Sequence, residues 1–262
     1  MTRYNGYTGV EVEVHDDGVV VCTLNRPDRL NAFDGQMRQD IHRLLGEVSS
    51  DDEARVFVMT GAGRAFCSGA DLTAEDRRGW PIRTHEPMFG WCTDLLEMPK
   101  PTICALNGLA AGGGLGLSLL FDIRICSSEA RLLPIWMKRA IHPDDLITWT
   151  LPRLVGYSRA LEWLYEAEEI PVSVALHSGM VNHVVEPDEV LSRTMELAHR
   201  LAAGPTAHHA MTKQAVFKGM QGDSFDAALL ESWGQAKALG SEDFQEGLLA
   251  FKEKREPKFT GR

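Results

Sequence analysis

The chain has 262 residues, 44% of them hydrophobic and 24% charged, enough to bury one large core and with no tract biased enough to stay disordered. Its 37 acidic against 27 basic residues give a net charge of −10, which speaks against nucleic acid or an anionic membrane as partner and requires a local basic cluster for any anionic ligand. Five scattered cysteines without a C-x-x-C pair, no basic or apolar leader in the opening MTRYNGYTGVEVEV and no span-length apolar stretch predict a reduced, soluble, cytoplasmic protein.

Alternating and β-branched residues predict strands over 10–14 and 19–24, joined as a hairpin at Asp16-Asp17-Gly18. Met37, Ile41, Leu44, Leu45 and Val48 share one helical face, and a strand follows over 56–60. The segment 73–90 is polar and broken by Gly and Pro but holds Trp80, Met88 and Phe89; it reads either as a surface loop or as a mobile wall over an apolar pocket. Further strands are predicted over 102–106 and 123–126, and strands separated by helices indicate an α/β core built from crossover units. After about Ser158 the texture becomes helical, with helices over 191–203, 206–218, 224–239 and 242–253. Met195, Ala198 and Leu201, then Phe225, Leu229 and Trp233, give this tail more apolar surface than an isolated appendage would expose, so it should pack on the core and on neighbouring subunits.

Asn107-Gly108-Leu109-Ala110-Ala111 runs into Gly112-Gly113-Gly114 and then a short apolar helix, with no carboxylate before Asp122. Glycines let a backbone approach a ligand with bare N–H groups, and a helix start adds unpaired donors and the positive end of the macrodipole. Such a site holds phosphate or the oxyanion of a polarised carbonyl. A second glycine-bearing strand end, Ala65-Phe66-Cys67-Ser68-Gly69-Ala70-Asp71-Leu72, would bring another donor to the same oxygen if the two ends are adjacent; each taken alone also reads as a tight turn.

These motifs come in a recognisable order: Asn25-Arg26-Pro27-Asp28-Arg29-Leu30-Asn31-Ala32, then AFCSGADL, the stretch from Lys100 through Asn107-Gly108, the glycine run, Leu151-Pro152-Arg153-Leu154-Val155-Gly156 and the C-terminal stretch from Phe251 to Phe259. Over nearly its whole length the chain resembles the crotonase (enoyl-CoA hydratase/isomerase) superfamily. The resemblance implies an α/β fold in which ββα units form a superhelical spiral over about residues 1–200, and a C-terminal helical region over 201–262 that builds a homotrimer or a dimer of trimers. It implies an acyl-CoA thioester as substrate, with coenzyme A entering only as part of it and no separate cofactor. The thioester oxygen would be held by the N–H groups of Ala70 and Gly113, an oxyanion hole for the enolate. Arg29, Leu30, Ala32, Ser68, Gly69, Asp71 and Leu72 would hold the CoA portion, and Lys252 and Lys254 would reach its phosphates, although these lysines also read as a solvated tail. Thr73 stands where many of the hydratases carry a lysine.

The family's hydratases hold a water between two glutamates, and an ungapped count puts those positions at Gly116 and Trp136, neither of which moves a proton at neutral pH. Plain hydration is therefore not expected. The replacement is sought in Ile141-His142-Pro143-Asp144-Asp145-Leu146, where Asp144 matches the aspartate of family isomerases that shuttles one proton between two carbons, and Asp145 resembles the position used by the family's dehalogenases and β-diketone hydrolases. One carboxylate suffices for a 1,3-proton shift, and beside a second acid and apolar neighbours its pKa should rise. Pro-Asp-Asp also reads as a helix N-cap. His142 is a further acid–base candidate, and Trp80, Met88, Phe89 and Trp136 are expected to wall the acyl pocket. No histidine group, His208-His209 included, has metal-ligand spacing, so no metal is expected. The reading is thus an enoyl-CoA isomerase of this fold; the alternatives are a carbon–carbon bond hydrolase with Asp145 or His142 leading, and an acyl-CoA binding protein without chemistry.

Overall fold

Strands that are apolar at every position must be covered on both faces, and the arrangement of this chain follows from that need. The computed structural model describes residues 3–73 and 90–261. From the N-terminus the elements are β1 (Val10–Val14), β2 (Val19–Leu24), α1 (Gly35–Ser50), β3 (Val56–Gly61), β4 (Ala65–Cys67), α2 (Trp91–Glu97), β5 (Thr102–Leu106), β6 (Leu109–Ala111), α3 (Gly113–Ser118), β7 (Ile123–Ser127) and β8 (Leu132–Leu133). They continue with α4 (Ile147–Val155), α5 (Tyr157–Glu166), α6 (Val172–His177), β9 (His183–Val185), α7 (Val190–Ala202), α8 (Thr206–Gly219), α9 (Ser224–Leu239) and α10 (Glu242–Glu253).

The strands form two sheets among the described residues: a larger one in the order β1-β2-β3-β5-β7-β9 and a smaller one in the order β4-β6-β8. Only β1 runs antiparallel, paired with β2 across the expected hairpin, where Gly18 at φ +84° turns the chain and its N–H donates to the His15 carbonyl at 3.0 Å. From β3 onward the chain repeats one step: a strand in the large sheet, a strand in the small sheet, then a helix, as in β3-β4-α2 and β5-β6-α3. This is the ββα progression the resemblance implied. The three short strands of the small sheet were not legible, because two- and three-residue strands carry no periodicity.

Alternate residues of β2 and β3 enter different cores. Val20, Cys22, Leu24, Phe57 and Met59 pack with the face of α1 made by Met37, Ile41, Leu44, Leu45 and Val48, while Val19, Val21, Val56 and Val58 pack with Ala198 and Ala202 of α7. The α1 stripe is seated by Asp34, whose carboxylate caps the helix by accepting from the Met37 N–H at 2.8 Å. The four predicted C-terminal helices occur as α7 to α10. Alpha7 closes the open face of the large sheet, whereas Val216, Phe225, Leu229 and Trp233 on α8 and α9 remain exposed. No described helix is long and apolar enough to cross a membrane.

Candidate active site

The site is assembled where the two glycine-bearing strand ends meet. Strand β4 pairs in parallel with β6, so the chain leaving Cys67 runs beside the chain leaving Ala111. The approach is close enough to require glycine: a Cβ on Gly69, which has φ +89°, would lie 2.7 Å from the Ala111 carbonyl oxygen and 3.1 Å from the Gly113 nitrogen. On its other side the Gly69–Asp71 stretch bridges Phe33, whose N–H donates to the Gly69 carbonyl and whose carbonyl accepts from the Asp71 N–H, both at 2.8 Å. That pattern spends the groups flanking Ala70 and turns Ala70's own N–H away from Phe33. Gly113 opens α3, so its N–H is among the first-turn donors that have no acceptor within the helix. Ala70 and Gly113 line one cleft together with Arg38, Trp136, Asp144 and Asp145. The two expected oxyanion donors are therefore brought together, with both aspartates beside them.

A knot of hydrogen bonds fixes the wall expected to hold the CoA portion. Asn31 is fully buried; its side-chain amide donates to the carbonyls of Ala62 at 2.9 Å and Ala65 at 2.8 Å, and its Oδ1 accepts from the Arg26 N–H at 2.9 Å. The Ser68 N–H donates to the Leu30 carbonyl at 3.0 Å and its hydroxyl to that of Arg29 at 3.3 Å, while Arg26 donates to the Ala32 carbonyl at 2.6 Å and pairs with Asp71 at 3.1 Å. Thr73 hydroxyl and N–H bonds, with Arg26 behind them, hold the Asp71 carboxyl down to about 2, so it stays ionised and serves the knot. Arg29, Leu30, Ala32, Ser68, Gly69 and Asp71 thus form one structural unit, and Leu72, half exposed, lines the cleft at its end. Lys252 and Lys254 are exposed at the end of α10 and are not among the cleft-lining residues. Trp80, Met88 and Phe89 lie outside the described residues.

The two aspartates sit in different environments although they are neighbours. Asp144 is partly exposed to the cleft, and its Oδ1 accepts from the Trp136 indole Nε1–H at 2.8 Å; Trp136 is itself buried. Asp145 is fully buried, its Oδ1 meets the Cys92 thiol at 3.9 Å, and its Oδ2 has no hydrogen-bond partner among the described residues. Burial, reinforced by the Asp144 charge and opposed by Arg38, pushes the Asp145 carboxyl up to about 7. Asp145 and Leu146 both adopt left-handed backbone, φ +50° and +57°, a strained pair of the kind that persists where surrounding structure enforces it.

The helix-cap reading of these aspartates is corrected by this turn. Alpha4 begins at Ile147 with Leu146 at the cap position and without a side-chain cap, because the left-handed pair carries both carboxylates away from the helix start. His142 is exposed, with Nδ1 2.7 Å from the Pro143 carbonyl oxygen, and is not among the residues lining the cleft. Sequence reasoning passed over Arg38, Arg139 and Cys92, and it registered Gly116 only as a missing glutamate. A Cβ on Gly116 would lie 2.9 Å from the Cβ of Asp145, so this glycine is what admits the turn. None of these four carries a local signal: Arg38, Cys92 and Gly116 bear on Asp145 from distant segments, and Arg139 is placed on the cleft wall only by the fold. Among the described residues no His, Cys, Asp and Glu group is placed to hold a metal ion.

The model of the enoyl-CoA hydratase/isomerase family matches residues 15–262. The chain is 37% identical to 1,2-epoxyphenylacetyl-CoA isomerase of Escherichia coli, over 94% of this chain and 97% of that protein. It is 35% identical to the short-chain-enoyl-CoA hydratase of Clostridium acetobutylicum, over 90% of this chain and 92% of that one. Its fold superposes on a crystal structure of enoyl-CoA hydratase from Bacillus anthracis with a TM-score of 0.87 at 32% identity, covering 97% of this chain and all of the other. With a cleft lined by the Ala70 and Gly113 backbone beside a pair of carboxyl groups, and with relatives of this similarity along nearly its whole length, the chain belongs to the enoyl-CoA hydratase/isomerase family of the crotonase superfamily, enzymes that act on CoA thioesters.

Proposed function

We propose that this protein isomerises an acyl-CoA thioester, moving a double bond or rearranging a ring, with Asp144 as the proton carrier. The observation that carries this reading is the seat of Asp144: its Oδ1 accepts from the Trp136 indole, and the carboxylate lines the same cleft as the Ala70 and Gly113 backbone. Held at the two N–H groups, the thioester carbonyl loses an α- or γ-proton to Asp144, negative charge collects on the oxygen, and the same carboxyl returns the proton at the other carbon. Each backbone donor aimed at that developing charge contributes about 10²- to 10³-fold in rate.

Gly116 and Trp136, standing by ungapped count where the family's hydratases keep their glutamates, support isomerisation over hydration. The similarity to an epoxyphenylacetyl-CoA isomerase supports the same choice, although a hydratase is almost equally similar. The exposed apolar side chains of α8 and α9 fit a trimer or a dimer of trimers, in which copies of the chain would cover them. The test is incubation with 3-enoyl-CoA and ring-derived acyl-CoA thioesters in deuterated water, followed by NMR. Double-bond migration with deuterium at the α and γ carbons is expected, and it should vanish in Asp144→Asn. No migration and no exchange across several acyl groups would sink the reading.

A further inference from the structure

Asp145 has no task in the reaction just described. It lies on the turn that carries the base, it is fully buried, and its Oδ2 is left without a partner among the described residues. An unpaired buried polar oxygen is a standing cost that native structures keep for a reason. The direction of that oxygen supplies one: a Cβ on Gly113 would run into Asp145 Oδ2, so the orphan atom stands against the residue whose N–H is assigned to the thioester oxygen.

We propose that Asp145 works as a neutral acid whose Oδ2–H donates a third hydrogen bond to the thioester oxygen, beside the N–H groups of Ala70 and Gly113. The inference rests on the reading of this cleft as a thioester-activating site. No bond is made or broken in this role; the proton stays on Asp145, and the hydrogen bond strengthens as charge develops on the substrate oxygen. A carboxyl kept neutral by an apolar site is a known kind of oxyanion donor.

The surroundings favour the neutral form. Burial is the largest influence; Asp144, next in the chain, adds negative charge and a side-chain hydrogen bond that both favour the protonated acid, and Arg38 from α1 pulls the other way. Cys92 from α2 and Cys67 at the end of β4 face the same region as buried thiols whose ionisation is itself pushed upward. The Cys92 S–H is placed to donate to Oδ1, which leaves Oδ2 as the oxygen to carry the proton. An ionised Asp145 would instead set a negative charge against the forming enolate.

The test uses acyl-CoA labelled with ¹³C at the thioester carbonyl, bound to the whole protein and read by infrared difference spectroscopy, alongside deuterium exchange, in wild type, Asp145→Asn and Asp145→Ala. The bound carbonyl band should be displaced to low frequency at pH 6 in the wild type and relax part of the way by pH 9. The Asn variant, which keeps the volume and a donor, should hold most of the displacement at both pH values, with exchange within about tenfold of wild type and no alkaline decline. The Ala variant should lose part of the displacement at every pH and roughly 10²-fold in exchange. An Ala variant that keeps the wild-type band and rate, or an Asn variant as impaired as Ala, would overturn the proposal. The predicted band pattern with no exchange on any substrate would sink the isomerase reading and leave the donor role standing; a wild-type band at the frequency of free acyl-CoA would sink both.

Discussion

The Cβ position of Gly116 lies 2.9 Å from the Cβ of Asp145, and 3.3 Å and 3.4 Å from the carbonyl oxygens of Asp145 and Asp144. Within α3, then, a side chain at 116 and the aspartate turn compete for one volume. The glycine at 116 leaves room for carboxyl groups arriving from the other side.

Gly116→Ala should therefore destabilise the protein. In a helix interior alanine normally gains about 1 kcal/mol over glycine, but here the added methyl meets the turn, and overpacking of this kind costs roughly 1–3 kcal/mol. Urea unfolding should show a lower midpoint at unchanged slope, and Asp145→Gly, which removes the opposing Cβ and relieves the left-handed backbone, should recover part of the loss in the double variant. A midpoint that rises on Gly116→Ala would show that the turn has space to spare.

Trp136→Phe keeps the buried ring but deletes the N–H that holds Asp144 Oδ1 at 2.8 Å. Losing a hydrogen bond to a charged acceptor is worth about 1.5 kcal/mol or more, so isomerisation should slow by roughly tenfold. The effect should fall on kcat with KM little changed, since the indole orients the base and not the thioester. Steady-state kinetics with equal losses in kcat and 1/KM would point to a packing role only.

Burying Asp145 also ties stability to pH. Its folded pKa is raised above the unfolded carboxylate value to about 7, so the neutral acid contributes fully below about pH 4 and that contribution is lost as pH rises toward and through 7. Asp145→Asn cannot ionise. Its Tm relative to wild type should climb by several degrees between pH 5 and pH 8 in thermal scans. A difference that stays constant over that range would show that Asp145 does not titrate there.

Asn31→Ala removes three hydrogen bonds of a buried side chain at once and leaves the buried Ala65 carbonyl without this partner. With one or more groups orphaned, a loss of about 2–4 kcal/mol is expected. Because the same knot aligns Leu30 with Ser68, KM for acyl-CoA should rise well beyond kcat. A variant with lowered Tm but unaltered KM would separate this knot from CoA binding.

Much of the fold was legible because it is written in local periodicity. The stripe Met37 to Val48 needs only its own spacing to form a buried helix face, and the β-branched runs of β2 and β3 need only their own composition to become central strands. The short strands of the small sheet and the helices α5 and α6 were not anticipated, since a few residues define too little of a period to be read.

By itself, the sequence determined that a glycine-rich strand end precedes a helix, that a second glycine-bearing end stands upstream, and that carboxylates come only from a later turn. Only the tertiary structure decided how these meet. The β4–β6 pairing set Gly69 against Gly113, and the packing of the turn on α3 placed Asp144 under an indole and sealed Asp145 in an apolar seat beside a thiol 53 residues away. Propensity and hydrophobic patterning act over a few residues, whereas desolvation, hydrogen-bond partners and steric room for a carboxyl depend on atoms supplied by remote segments, and those are settled only when the chain has closed around them.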